Sequence, residues 1–257
     1  MMHNKVKRIF ALSDVHGFFT PMKSALDAAG FDSEDESHLL VFCGDMFDRG
    51  SENLSVYQYL SGLKNKILIK GNHDERLIRV LGARQLEYYD IHNQIDKTLV
   101  EFFGEGCVDE NLRLHVSDEA LAEKLIELYR SELDYFEFED YIFTHGWLPA
   151  EVYGGTPYLI ENWSYATEKK WSSARWLEWQ QMYSKRDTAL IPGKTIVCGH
   201  RPSAFGYMFN HSRFNDDYGI FYGDGIIAID GWTVRSGKVN VLVLDVGNEQ
   251  KSETEKS

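Results

Sequence analysis

Short apolar runs alternate with segments of helical period over the first third of the chain. Arg8–Leu12 is one such run, and it stops at S-D-V-H-G. The next segment, T-P-M-K-S-A-L-D-A-A-G, places Met22, Ala25, Leu26 and Ala29 at helical spacing. Thr20 is its expected N-cap, Pro21 its first helical residue and Gly30 its stop. His38–Cys43 predicts a second strand. S-E-N-L-S-V-Y-Q-Y-L-S-G repeats the helix signals, with Ser51 as cap and Gly62 as stop. Lys66–Ile69 predicts a third strand, ending in K-G-N-H-D. Strand–helix units of this length predict parallel strands in a layered α/β fold.

The pattern then changes. Residues 82–140 carry Leu121, Leu125 and Leu128 at helical spacing behind Ser117 as cap, which predicts a helical insertion over the core. F-E-F-E-D-Y-I-F-T-H-G reads as a hairpin-like return to strand. Residues 150–190 form a connection holding four of the six tryptophans, Trp163, Trp171, Trp176 and Trp179, with Tyr153, Tyr158, Tyr165 and Tyr183. Lys194–Cys198 predicts a strand ending in G-H-R-P. Gly225–Ile229 and Val239–Asp245 predict two more, joined through R-S-G-K. Residues 1–247 read as a single domain. The polar tail, 248–257, is expected to be disordered. No internal repeat is present.

Net charge is −13, and the insertion holds sixteen acidic against five basic residues. Such a stretch reads most simply as a solvated face. The chain has no Lys/Arg-rich block, so a nucleic-acid polymer is a poor partner. No apolar run approaches the ~18–20 residues of a membrane span. The N-terminal apolar run is too short for a signal peptide. Cys43, Cys107 and Cys198 make an odd count without framework spacing, which fits a reducing cytoplasm. Cys43 and Cys198 end core strands and read as buried thiols.

The apolar runs end in a repeated way. Asp14 and His16, then Asp45, Asp48 and Arg49, then Asn72 and His73, then His145, then His200 each follow a strand and adjoin a glycine. Ligands gather at the carboxyl ends of strands in open α/β sheets. Asp14 and His16 are two apart, so in extended backbone both would leave one face. A carboxylate and an imidazole aimed at one point suit a divalent metal. Further oxygen and nitrogen donors at neighbouring strand ends would supply a second ion, and Asp45 can bridge the two. No cysteine is needed, which disfavours a structural zinc site. His3, His38, His92, His115 and His211 stand outside these motifs and read as surface or satisfied histidines.

S-D-V-H-G, G-D-M-F-D-R-G, G-N-H-D, T-H-G and G-H-R-P, in that order over residues 13–202, resemble the calcineurin-like metallophosphoesterase signature. The form is similar to the phosphoprotein phosphatase branch, which includes phage lambda-type bacterial serine/threonine phosphatases and symmetrical diadenosine tetraphosphatases. Pro202 stands where other metallophosphoesterases place a last histidine. The resemblance implies a four-layer α/β/β/α sandwich. It implies one metal on Asp14, His16 and Asp45 and another on Asp45, Asn72, His145 and His200. Manganese is the expected metal, with iron or zinc as alternatives.

The resemblance also implies hydrolysis of a phosphoric ester by a metal-bridging hydroxide attacking phosphorus in line. His73 is the expected proton donor to the leaving group, and Asp48 the residue that orients its ring and keeps it protonated. Arg49 offers a planar fork for phosphate oxygens, unless it pairs with Asp48 instead. Arg175, in S-S-A-R-W, is the candidate second phosphate arginine, and Arg201 its rival. The tryptophans of 150–190 are either a packing cluster or a substrate wall. I-D-G at 229–231 replaces a family I-D-T-G and is given no direct role. The leading substrate is a phosphorylated protein or small phosphoester. Tetraphosphatase relatives read A-R-G where this chain has Asp48, yet Asp74 in G-N-H-D is common among them. A symmetrical bis(5'-nucleosyl)-tetraphosphatase is therefore the alternative, and a non-catalytic phosphate-binding module the alternative of another class.

Overall fold

The structure, a computed structural model, describes residues 5–177, 190–211 and 218–246. His3, Trp179, Tyr183, the His211 side chain and the tail 248–257 lie outside the described residues. The first sheet holds β1 (Arg8–Leu12), β2 (His38–Cys43), β3 (Lys66–Ile69) and β11 (Leu242–Asp245), in the order β11-β1-β2-β3. β1, β2 and β3 are parallel, whereas β11 runs antiparallel to β1. The second sheet holds β4 (Tyr135–Phe138), β5 (Tyr141–Thr144), β8 (Thr195–Cys198), β9 (Phe221–Gly223) and β10 (Ile226–Ala228), in the order β4-β5-β8-β10-β9. β6 (Ala150–Tyr153) and β7 (Thr156–Leu159) form a separate hairpin. The strands expected at 225–229 and 239–245 thus belong to different sheets.

Alternation along the strands sorts the layers. Ile9, Ala11, Leu39, Val41 and Cys43 pack against Phe143, Val197 and Ile227, which puts the two sheets face to face. Phe10, Leu12, Leu40 and Phe42 turn the other way. They meet Met22 and Leu26 of α1 (Phe19–Ala28), Val56 and Leu60 of α2 (Asn53–Gly62), and Leu77 and Val80 of α3 (Asn72–Ala83). Behind the second sheet, Ile142, Ile196 and Ala228 meet Trp171 of α7 (Glu168–Arg175), with Phe205 and Tyr207 of α8 (Ala204–His211) alongside. The result is the expected α/β/β/α order. Each fully buried Leu, Ile or Phe contributes roughly 1.5–3 kcal/mol, so both faces of each sheet are strongly specified.

Three helix caps differ from expectation. α1 starts at Phe19, so Thr20 lies within it and bonds Glu52 through its amide and hydroxyl. α2 starts at Asn53, and its free amides at Asn53 and Leu54 go to the Glu101 carboxylate rather than to Ser51. α6 (Glu119–Ser131) is capped by Asp118, while Ser117 donates to the Phe103 carbonyl. A longer side chain from a neighbouring element, or one residue onward, satisfied the orphan amides. The 82–140 stretch also holds α4 (Tyr88–His92) and α5 (Ile95–Phe103), but its helices end at Ser131 and β4 already belongs to the second sheet. No helix among the described residues is long and apolar enough to cross a membrane.

Candidate metal centre and active site

The carboxyl ends of β1, β2, β3, β8 and β10 open on one cleft of about 400 Å³, with the end of β5 buried behind it. Asp14, His16, Asp45, Arg49, Asn72, His73, His200 and Arg201 line it, and His145 and Asp48, both fully buried, lie outside its lining. The backbone bends sharply there. Asp14 and His16 have φ near +50°, and Asp45, Asp48, Arg49 and His200 are also left-handed. Asp14 and His16 are therefore not in extended backbone, and the shared-face argument fails. Their side chains converge because two left-handed residues curl the chain over the strand end. Such conformations cost of order 1–3 kcal/mol each and persist where surroundings hold them. A Cβ on Gly44 would meet His145 Nδ1 at 2.6 Å, and one on Gly199 would meet Asp14 Oδ2 at 2.2 Å. Glycine is needed at both positions to let the ring of side chains close.

Asp45 is shared by two groups of possible metal donors, with His16 and His73 on one side and His145 and His200 on the other. Its Oδ2 lies 3.7 Å from His16 Nε2 and its Oδ1 lies 3.4 Å from His145 Nε2. Asp14 Oδ1 is 3.9 Å from His16 Nε2. Tautomers are set from behind. His16 Nδ1 faces the Phe47 carbonyl at 3.1 Å, and His145 Nδ1 faces the Cys43 carbonyl at 2.8 Å. Each ring then donates from Nδ1 and presents the Nε2 lone pair to the cleft. Burial pushes His16, His145 and His200 below the usual histidine range, which favours the neutral ring.

Three observations test whether cations fit. His145 Nε2 lies 2.8 Å from Asn72 Oδ1, two acceptors face to face with no proton between them. His200 Nε2 is buried with no hydrogen-bond partner among the described residues. Asp14 is pushed well above the usual carboxylate range by burial, then by Asp230 and Asp45. Asp45, although burial opposes it, is held down by His145, His73, His16 and His200. Crowded carboxylates that resist ionising together, beside imidazoles with unmet lone pairs, fit divalent cations.

Beside these donors lies a second unit. His73 Nδ1 donates to Asp48 Oδ2 at 2.9 Å. The Arg49 guanidinium reaches His16 Nε2 and His73 Nε2, each at 2.9 Å. The expected alternative, an Asp48–Arg49 pair, does not form. Thr98 of α5 donates to the other oxygen of Asp48 at 2.8 Å. The acidic stretch thus does more than cover the core.

Arg201 lines the cleft, but Arg175 does not. Arg175 is buried, and its guanidinium binds Glu75 at 3.0 Å, Asp134 at 2.9 Å and also Glu168. Three carboxylates from three segments hold it, so the expectation of a phosphate ligand is corrected to a packing ion network. The tryptophans divide. Trp171 stacks on Tyr135 at 5.5 Å and meets Trp163 at 6.0 Å, a packing cluster. Trp176 lines the cleft. His38 and His115 are satisfied, by the Asp32 amide and Asp109 respectively. All three cysteines are buried and free.

Sequence reasoning missed three positions. Asp74 accepts amides of Asp45, Met46 and Gly71, and so pins the Asp45 loop to α3. Asp230 is buried in the cleft lining. It follows an apolar run and adjoins Gly231, the same signal that marked the other strand ends. Thr98 carries no motif at all.

The two facing sheets, the donors at their strand ends and the open cleft suit a metal-dependent hydrolase. The chain belongs to the calcineurin-like phosphoesterase family, which its residues 7–228 match. An asymmetrical bis(5'-nucleosyl)-tetraphosphatase of Halalkalibacterium halodurans is 23% identical over 85% of this chain and 87% of that protein. A symmetrical bis(5'-nucleosyl)-tetraphosphatase of Buchnera aphidicola is 38% identical, over 32% of this chain and 31% of that protein. The chain thus spans about a third of the length of that relative. Among solved structures, a diadenosine tetraphosphatase assigned as putative superposes with TM-score 0.53 at 18% identity, covering 94% and 90% of the two chains. A cold-active protein tyrosine phosphatase superposes with TM-score 0.51 at 16% identity, covering 93% and 74%. These likenesses concern the fold.

Proposed function

We propose that the chain is a dimetal-dependent phosphomonoesterase of the serine/threonine phosphatase type, acting in the cytoplasm as one catalytic unit over residues 1–247. The observation that carries this reading is the Asp48–His73–Arg49 unit set against the donor ring. Asp14, His16 and Asp45 would hold one cation, and Asp45, Asn72, His145 and His200 the other, with manganese the first choice. Bound divalent ions supply Lewis acidity and make water nucleophilic near neutral pH.

The chain's own groups account for the rest. Arg49 exchanges its imidazole contacts for phosphate oxygens, where its planar fork fits two of them. Arg201 adds positive charge at the same cleft. His73 Nε2 accepts from Arg49 here; once Arg49 turns to phosphate it would take up a proton from solvent and give it to the leaving oxygen, a step typically worth ~10²–10⁴ in rate. Asp48 keeps Nδ1 protonated and so keeps Nε2 aimed at the cleft.

A second reading, dinucleoside tetraphosphate hydrolysis, is favoured by the named relatives and by Asp74. Turnover of p-nitrophenyl phosphate with Mn²⁺, with and without chelator, tests the enzyme. Absence of metal-dependent turnover in the native chain, as in His73→Asn, would sink it. Comparing a phosphoserine peptide with diadenosine tetraphosphate then chooses between the two substrates.

A further inference from the structure

Three rings form a ladder through the cleft. The Tyr89 and Trp176 centroids are 6.1 Å apart, and Trp176 is 6.3 Å from His200, one of the donor histidines. Both Tyr89 and Trp176 line the cleft. Tyr89 is 46% exposed at its rim, yet it is braced. The Arg76 guanidinium sits 4.6 Å from its ring. Arg76 and Arg79 both bind Asp90, the next residue, which is fully buried and also accepts the Glu87 amide at the start of α4. Arg76 lies on α3, the helix that begins with Asn72 and His73. The helix that carries His73 therefore also braces the exposed ring through its arginines. Its neighbour Tyr88, 87% exposed, does not line the cleft.

Further aromatic surface faces the same space. Phe205 and Trp232 line the cleft with centroids 6.1 Å apart. Trp232 has φ +50°, a conformation that bulky residues rarely adopt, and Arg235 sits 5.0 Å from its ring. Strain of this kind gathers at ligand clamps. A half-exposed ring held in place by an arginine and a buried carboxylate loses little freedom on binding, so stacking on it is efficient.

We propose that Tyr89 and Trp176 form a leaving-group wall that selects phosphoesters carrying a planar aromatic ring. The proposal rests on the phosphoester-hydrolase reading and names what that site prefers. A phosphate held at the donor ring by Arg49 sends its ester group outward past Trp176 to Tyr89. An aliphatic ester gains nothing from such a wall. A ring stacks on it, whether it is a nucleobase or an aryl side chain.

The test compares ligands that differ only by the ring. AMP and ribose 5-phosphate share the same 5'-oxygen, and phosphotyrosine and phosphoserine peptides share their flanking residues. Inhibition constants are measured against p-nitrophenyl phosphate turnover with Mn²⁺. The native chain should favour the ringed member of at least one pair by about tenfold, as aromatic stacking allows. The pair with the larger ratio names the source of the ring. Tyr89→Ala and Trp176→Leu should bring that ratio to about two, Tyr89→Phe should restore it, and Tyr153→Ala, outside the cleft, should leave it unchanged. Ratios near one in both pairs, or a ratio that survives Tyr89→Ala, would overturn the wall. Because Tyr89 is half exposed, its alanine variant carries the test even if Trp176→Leu misfolds. If no turnover occurs, the proposed activity falls, and quenching of tryptophan fluorescence decides the wall separately. Selective quenching by AMP over ribose 5-phosphate supports it, and equal quenching refutes it.

Discussion

Asp48 Oδ2 lies 2.9 Å from His73 Nδ1, and both side chains are buried. Neither Asp48 oxygen is left over, because Thr98 takes the other. Asp48 is therefore committed to the His73 ring, whereas Asp45 faces donors on both sides. Asp48→Asn should keep the metal and lower kcat by about 10²–10³, within the ~10²–10⁴ that general-acid assistance supplies. Asp45→Asn should lose metal. Metal content per chain, measured beside kcat, checks both. A metal-depleted Asp48→Asn protein would contradict this division of roles.

Thr98→Val keeps the shape of the side chain and removes its hydroxyl. The buried Asp48 oxygen then loses one acceptor contact, at a cost of about 1 kcal/mol. The His73 ring gains freedom, and kcat should fall several-fold while KM holds. Denaturant unfolding beside steady-state kinetics separates the two effects. A KM change with constant kcat would place Thr98 in substrate binding instead.

The contrast between Asp48 and Thr98 explains what could be read in advance. Asp48 stands in a motif at a strand end, where an apolar run, a glycine and a charge announce a site. Thr98 reaches Asp48 from a helix fifty positions onward, and only tertiary packing makes that pair. The strands were legible because their apolar runs are short and bounded. The helix caps were not, because Glu101 and Glu52 supplied bonds that local spacing assigned to Ser51 and to a Thr20 cap. Arg175 was misjudged for the same reason, since two of its three carboxylates, Glu75 and Asp134, come from distant segments and only Glu168 lies on its own helix.

Arg49 and Arg175 should therefore respond differently to the same change. Arg49→Lys loses the planar fork, so KM for p-nitrophenyl phosphate should rise about tenfold or more. Arg175→Lys should leave KM within about twofold and lower stability instead, because the planar contacts of buried Arg175 with half-buried Glu75 and Asp134 are broken. The carboxylates are partly exposed and Lys keeps the charge, so the loss should be about 1–3 kcal/mol, the scale of hydrogen bonds to charged groups. Melting curves beside KM values decide the matter. A raised KM in Arg175→Lys at unchanged stability would return Arg175 to the phosphate.

Removing metal should lower thermal stability as well as activity. A cation at about 100 times its Kd stabilises the fold by about 2.7 kcal/mol. For a chain of this size that is a shift of roughly 5–10 °C. His200→Ala should show a smaller shift on chelation, since its Nε2 has no hydrogen-bond partner among the described residues to lose. Calorimetry with and without chelator reads this directly, and an unchanged Tm would argue against cations at the donor ring.

Glu132 gives a pH dependence of known sign. Its side chain is buried, and neither carboxyl oxygen has a hydrogen-bond partner among the described residues. Burial first, and then Asp74, push it well above its ordinary 4.5, against Lys70 and Arg175. Below pH 4.5 both folded and unfolded states hold the proton, so Glu132 adds no pH dependence there. Between 4.5 and the raised value, the native state keeps a proton that the unfolded chain releases. Stability therefore falls as pH rises through that window, by up to about 1.4 kcal/mol per unit for one proton. Glu132→Gln has the same shape as the protonated acid and removes this slope. Its unfolding free energy should match that of the native chain at pH 4 and exceed it at pH 8. Equal stabilities at pH 8 would mean that the Glu132 carboxyl is compensated when ionised.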